Sequence, residues 1–478
     1  MDKRAFSAKN VALVAIMAVS LMVIGALLYS GISYLWKASL TILVLYALSK
    51  YTARSINAES MFGAYLLSSK KGISTIYKIA DSHPKLWNAL ADWGMVIGFG
   101  AVAKYFFKNI SKKTVIIGIV SILFVLYIML PFSYLAFSFI NLPQTSSGSV
   151  SGQQATGINI AAYALTAIAV IGGFAGFIAA TLVYSSWSIL YSIAAFAASA
   201  VQSTPNYGII ASQAPGVAPI IPGINIPLAA GVIALALILV VHEFSHGILA
   251  RVARIKIKRV GLLVFGLIPI GAFVEPEEKK VKKLKKDLSN RIFIAGVSAN
   301  MLTAMLFFVV MMFFALYVIP SIMTQSVVVT AVEANSPAYN TIPVGSTILE
   351  WQGVKISNIS SFVGVAGLDK PFNNISVVTN KGTFSLISNA AGKIGVYVNE
   401  QSFPKQGILS GTGYFAYSVA ALSFLLSFLI AVVNLLPIPG FDGFRIYGSV
   451  MSKKNLRLLG SIAILALVIN ALPWIWHA

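Results

Sequence analysis

Long apolar runs separated by short basic blocks set the plan of this chain. Residues 11–48 are apolar apart from Lys37, enough for two membrane spans of about 20 residues each. Residues 115–140 predict a third span. The uncharged run 160–201 predicts two more, joined by a tight turn near 184–187. The runs 226–250, 292–319, 414–436 and 458–476 predict one each, about nine in all. Segment 87–103 differs. As a full span it would leave Lys104, Lys108, Lys112 and Lys113 outside, against the positive-inside rule, so a re-entrant or interfacial helix is expected.

The same rule orients the rest. Lys3, Arg4 and Lys9 before the first hairpin and Lys50, Arg54, Lys70 and Lys71 after it place both its ends in the cytoplasm. The charge-free polar stretch 141–159 then reads as an external loop, and 204–227, with five prolines, as an irregular external connection. Residues 251–291 carry twelve basic and four acidic side chains and are expected inside. Within them, 261–274 is too short and too rich in Gly and Pro to span. A pair of short strands is expected there, either a plain packing hairpin or an edge that pairs with an unwound substrate. Residues 277–286 hold six lysines, with Val281, Leu284 and Leu288 at helical spacing. They read as an amphipathic helix on the anionic cytoplasmic surface or as a solvated basic loop.

Residues 325–404 change character, being rich in Val, Ile, Thr, Ser and Asn, with four acidic and four basic residues. A small external β-rich domain is expected, with strands at 327–329 and 347–351 and a tight turn at Gln352-Gly353 before 354–356. Sequons at Asn358 and Asn374 are consistent with an external face.

Composition closes off other classes. At 58% hydrophobic and 10% charged residues the chain is a polytopic α-helical membrane protein and not a soluble enzyme. The net charge of +21 sits in loops between spans, so nucleic acid is not an expected partner. There is no cysteine, which removes disulfides and thiolate metal sites and leaves His and carboxylate as metal ligands. The apolar start at 12–29 runs on too far for the short core of a cleavable signal.

The chemistry gathers in the run 226–250, at His242-Glu243-Phe244-Ser245-His246. Positions i and i+4 share one helix face, so two imidazoles can grip one metal ion. Glu243 then stands where a carboxylate takes a proton from a water that the metal activates. The plain alternative is three polar groups hydrogen-bonded in a bundle, yet ionisable side chains inside a span are costly and usually mark function. His242 precedes Ala250 by eight residues, placing the site roughly 12 Å inside the cytoplasmic end of its helix. Asn300, in Gly296-Val297-Ser298-Ala299-Asn300, lies in the same membrane zone. Further on, Asn434-Leu435-Leu436-Pro437-Ile438-Pro439-Gly440-Phe441-Asp442-Gly443 ends a span. Its prolines break the helix and Gly443 permits an unusual backbone angle, so Asp442 can be aimed sideways as a third ligand. Capping the following segment is the other role open to it.

These three motifs, in this order, resemble the site-2 protease family of intramembrane zinc metalloproteases. The resemblance covers about residues 226–478. Asn335-Ser336-Pro337-Ala338 followed by Gly345-Ser346-Thr347-Ile348-Leu349 is similar to a run in the PDZ domains of many members, with Ser346 in place of the usual Asp. Val297 stands where the family often has Pro, and Gly440-Phe441 where Pro-Leu is more usual. The resemblance implies one zinc ion per chain on His242, His246 and Asp442, with Glu243 activating the attacking water. It implies Asn300 as an oxyanion donor or a helix-packing residue, and Asn434, Pro437 and Pro439 as a substrate-binding segment, with Asn434 alternatively capping the loop behind Pro437. The implied partners are transmembrane protein substrates in the lipid bilayer, with the PDZ-like domain binding their peptide segments. The implied setting is the cell membrane, with the active site toward the cytoplasm and the PDZ-like domain outside. The expected organisation is an N-terminal transmembrane region (1–225), a membrane core in two parts (226–320 and 411–478) and the PDZ-like insert (325–404) between them. A transporter or channel using an intramembrane metal or proton site is the competing reading; it calls for an inverted repeat, and none is seen.

Overall fold

The computed structural model describes residues 8–477 except 33, 62, 108–109, 141–159, 203, 219 and 406; the expected external loop 141–159 lies outside them. The chain forms two compact units, Met1–Val309 with Ser418–Ala478, and Val310–Tyr417. In the first, helices α1 (Ala8–Tyr29) and α2 (Tyr34–Ser55) pack as a helical hairpin where two spans were expected, though neither is among the helices that meet the length and apolarity of a span. Then come α3 (Lys70–Ser82), α4 (Pro84–Phe99), α5 (Lys112–Phe124), α6 (Ile160–Val201), α7 (Leu228–Val252) and α8 (Lys286–Phe313). Among the described residues seven helices are long and apolar enough to cross a membrane, against about nine expected spans. The segment Pro84–Phe106, expected to be re-entrant, is one of the seven by length and composition.

Two expectations are corrected here. The run Ile160–Val201 has no turn near 184–187; it is helical there and breaks instead at Gly173, where φ is 62°. The cause is a crossing of backbones. Helix α4 ends at Gly100, with φ 59°, and a Cβ on Gly100 would meet the Val170 carbonyl oxygen, while one on Gly173 would strike the Gly98 backbone. Both positions need a residue with no side chain and tolerance for positive φ. The expected amphipathic helix at 277–286 is also shortened. Only the turn Glu278–Val281 is helical before α8 begins at Lys286, with ion pairs Glu277–Lys280 and Glu278–Lys282 around it. Crowded lysines disfavour a longer helix through like-charge spacing. Val281 is buried within the protein and not presented to a membrane surface.

Helix α4 ties the N-terminal region to the core. Its Gly94-x-x-x-Gly98 face is the small-residue pattern that lets membrane helices approach closely. A Cβ on Gly94 would collide with Ser298 of α8, and one on Gly98 would press on Leu435 and Ile294. Asp92 of α4 accepts two hydrogen bonds from Arg291, at 2.7 and 2.9 Å. Trp93 Nε1 donates to Ser121 of α5 at 3.1 Å.

Strands β1 (Ser60–Met61), β2 (Ala64–Ser68), β3 (Ile257–Phe265) and β4 (Ile268–Pro276) make one sheet in that order. The hairpin expected at 261–274 is β3–β4, turning at Gly266 with φ 64°. Strand β2 pairs with β3 in the register Tyr65↔Val264 to Ser68↔Gly261. A Cβ on Gly261 would run into the Leu67 carbonyl, so only glycine admits β2 there. Arg259 bridges Glu275 and Glu59 at 2.8 Å each, and its guanidinium holds the Glu275 carboxyl below the usual carboxylate range. Strand β4 is the sheet's edge, and its Val274 sits against Gly247 of α7.

The second unit carries the expected β-rich insert. Strands β5 (Met323–Val332), β6 (Thr347–Trp351), β7 (Val354–Lys355), β8 (Asn374–Thr379), β9 (Gly382–Ile387) and β10 (Val396–Pro404) form a sheet of order β10-β5-β6-β8-β9, with β7 on β6. Gln352 (φ 51°) and Gly353 (φ 77°) make the anticipated tight turn. Alternate residues Ile375 and Val377 point into a core with Val327, Val329, Ile348 and Trp351. Helix α9 (Ile359–Ala366) starts from a capping box in which Asn358 and Ser361 bond reciprocally, so this sequon side chain already holds a helix end.

Candidate metal centre

Helix α7 presents His242 and His246 to one face of α8. Ile292, Gly296 and Asn300 recur every four residues along that face, and each does something different. The Ile292 carbonyl accepts the His246 Nδ1–H at 2.7 Å. Gly296 leaves the hollow that His242 fills, since a Cβ there would overlap the imidazole. Asn300, fully buried, lies with Nδ2 3.1 Å from His242 Nδ1, and its Oδ1 has no partner. The two ends of an amide exchange by a half-turn. Turned that way, Oδ1 accepts the His242 Nδ1–H, which fixes the tautomer of the ring. In that arrangement each histidine keeps its proton on Nδ1 and leaves Nε2 bare.

The third group arrives from the loop after α10 (Ile408–Val433). Its ends are tied by the Gly443 N–H donating to the Asn434 carbonyl at 2.7 Å. Here the expectation for Gly443 is corrected. The left-handed residue is Gly440, with φ 100°, and Gly443 is required instead because a Cβ there would strike the Leu435 carbonyl. Pro437 is buried, with its carbonyl beside Gly460 of the last long helix, and Pro439 is exposed. Asp442 is the first residue of a short helix whose N-cap is Phe441, so its carboxylate does not cap.

Asp442 Oδ2 lies 3.3 Å from His242 Nε2 and 3.4 Å from His246 Nε2, and the two Nε2 atoms are 3.3 Å apart. Asp442 and His242 are buried, and Oδ2 accepts no hydrogen bond from any described residue. A buried carboxylate oxygen facing two bare ring nitrogens is strongly unfavourable unless a cation sits among them. The spacing agrees. A tetrahedral ion with bonds of about 2.0–2.1 Å holds its ligand atoms about 3.3–3.4 Å apart. The residues therefore fit a divalent metal, and these three are the group among the described residues able to hold one.

The structure thus brings together all three expected ligands. Glu243 follows His242 on α7, half-buried, with no hydrogen bond to its carboxylate among the described residues. Asn300 contacts His242 at Nδ1, the ring nitrogen away from Nε2, which places it to orient that imidazole. Asn434 turns its Nδ2 to the Ile430 carbonyl at 3.0 Å and holds the Asp442 loop through its backbone. Two contributors went unread in the sequence. One is the Ile292 carbonyl, whose only signal is its spacing of four from Gly296. The other is Asp92, which anchors the neighbouring Arg291.

Residues 230–472 match the model of peptidase family M50. The chain belongs to that family. It is an integral membrane protein of the site-2 protease kind, and the matched region contains His242, His246, Asn300 and Asp442. An uncharacterised protein of Methanocaldococcus jannaschii is 28% identical over 253 residues, which are 51% of this chain and 64% of that protein. The match therefore spans less than two thirds of that relative.

In this family member Asn300→Leu is expected to weaken metal binding about 10–100-fold, the usual cost of losing a group that orients a ligand. A zinc competition titration reads it. Unchanged affinity with slowed turnover would return Asn300 to the oxyanion role.

Proposed function

We propose that this chain is an intramembrane zinc endopeptidase that hydrolyses peptide bonds within the transmembrane helices of other membrane proteins. The observation that carries the reading is the triangle of His242 Nε2, His246 Nε2 and Asp442 Oδ2, with an unengaged carboxylate, Glu243, on the adjoining residue. Zinc on two imidazoles and one carboxylate is a common catalytic set with a position left open. When bound, it supplies Lewis-acid polarisation of a carbonyl and acidifies water.

The chain's own groups do the rest. Glu243 takes the proton of the attacking water and passes it to the leaving amine. Asn300 and the Ile292 carbonyl hold the imidazoles in one tautomer and one orientation. A helical substrate hides its carbonyls, so a stretch of it must unwind. The free edge of β4, next to α7, offers backbone groups to such a stretch. Asn434, Pro437 and Pro439, on the loop that carries Asp442, are the segment proposed to bind substrate.

The cell membrane is the proposed setting, with the metal toward the cytoplasm, because residues 251–291 hold twelve basic and four acidic side chains. The insert 325–404 then lies outside as a PDZ-like domain that engages substrate segments. A single cysteine at Lys283 is a clean reporter, because the chain has none. It is expected to stay unlabelled by an impermeant thiol reagent in intact cells and to react once they are opened; labelling of intact cells inverts the orientation.

The direct test is metal content of the purified chain alongside cleavage of a model transmembrane peptide. One zinc per chain and a cut within the apolar segment are expected, both lost in a His242→Ala, His246→Ala double variant. Stoichiometric zinc retained by that variant would sink the proposal.

A further inference from the structure

We propose that a cavity on the far side of the metal helix holds an acyl chain of an anionic phospholipid. The cavity, of about 290 Å³, lies between α3, α4, α7 and α8. It is lined among others by Ile79, Trp87, Ala91, Phe244, Ile248 and Leu302. Phe244 and Ile248 each follow a metal-ligand histidine by two residues, roughly 200° around the helix, so this space is separate from the metal centre.

Its chemistry excludes most occupants. Three hydroxyls line it, and each donates its one proton to a carbonyl of its own helix, so none offers the cavity a donor. Ser245 donates to the His242 carbonyl at 2.6 Å, Ser298 to Ile294 at 2.9 Å and Thr303 to Ala299 at 2.8 Å. Water needs two to four polar partners to stay in such a site, and an unwound peptide backbone would leave its N–H and C=O unpaired. Only hydrocarbon is left. Three of the walls, α4, α7 and α8, are helices long and apolar enough to cross a membrane, and Leu302 is exposed, so in a bilayer the cavity would open sideways onto hydrocarbon.

The charge at the rim selects the headgroup. Ile79 and Trp87 straddle the α3–α4 corner, joined by a 2.9 Å hydrogen bond from Trp87 Nε1 to the Ile79 carbonyl. Lys78 and Lys85 flank them, both exposed and neither in an ion pair among the described residues. Asp81, the acid between them, is taken up by Arg251 at 2.9 and 3.0 Å. Two unmatched positive charges beside an apolar slot suit an acyl chain carrying a negative headgroup. All three cavity residues on α3 and α4 named above precede the M50 match, as do the lysines, so the site belongs to this chain's N-terminal region as much as to its core.

The test uses the full chain reconstituted in phosphatidylcholine vesicles with a trace of either phosphatidylglycerol or phosphatidylcholine bearing a diazirine in its acyl chain. After irradiation, adducts are mapped by mass spectrometry. The phosphatidylglycerol probe is expected to mark the peptides containing Trp87–Ala91 and Phe244–Ile248 several-fold more than the phosphatidylcholine probe. Lys78→Glu with Lys85→Glu should erase that difference. Thr303→Phe should fill the slot and remove the adducts, while labelling at the lipid-facing Leu306 and Val309 persists and reports a folded, inserted chain. Equal marking by both probes, or adducts at Leu306 and Val309 alone in the unaltered chain, overturns the proposal. So does loss of the adducts on adding a transmembrane peptide, which would assign the slot to substrate.

Discussion

Replacing Glu243 with Gln is expected to leave one zinc ion on each chain while cleavage of a transmembrane peptide falls by about two to four orders of magnitude. The two halves of this result come from different atoms. The metal is gripped by His242, His246 and Asp442, whose donor atoms stand 3.3–3.4 Å apart without help from Glu243. Glutamine keeps the size of glutamate and its place on α7, so the ligand triangle is not disturbed. What goes is a group able to accept the water's proton, because an amide does not do so near neutral pH. Metal analysis and single-turnover cleavage on one preparation separate the two. Wild-type cleavage by Glu243→Gln would end the peptidase reading and favour an ion pathway through the same cluster.

Much of this site was legible because its chemistry is local. His242 and His246 need only one helix to share a face, and the prolines before Asp442 announce a break in another. What stayed hidden depends on contacts far apart in sequence. Strands β1 and β2 were missed because Ala64–Ser68 carries no clear alternation, and its partner in the Tyr65↔Val264 register is about 200 residues away. The break in α6 was placed by length at 184–187, whereas a backbone crossing with Gly98–Gly100 fixes it at Gly173. Periodicity cannot report such a crossing. Gly94 and Gly98 did carry a readable signal, the spacing of a close helix contact, and through it residues 1–225 gain a part in the scaffold. Asn300 was ambiguous for a plainer reason. A buried amide one turn beyond a glycine serves an oxyanion or an imidazole equally well until the ring is seen against it.

Asp442→Asn is expected to separate from Glu243→Gln in metal content while sharing its inactivity. Asp442 is the one anionic ligand of the three, and its Oδ2 meets no other donor. Asparagine removes the negative charge that offsets the cation in a buried setting. It also brings an N–H₂ to within about 3.3–3.4 Å of two bare imidazole nitrogens, so the amide can donate to the atoms the metal needs. Loss of charge and competition for ligands act in the same direction. The fall in zinc affinity should therefore exceed the roughly 10–100-fold expected for a group that merely orients a ligand. Zinc per chain after dialysis against a weak chelator measures it, with Asn300→Leu as the milder comparison. If Asp442→Asn holds zinc as the unaltered chain does, another group completes the site, and the loop from Asn434 to Gly443 must serve some purpose other than delivering a ligand.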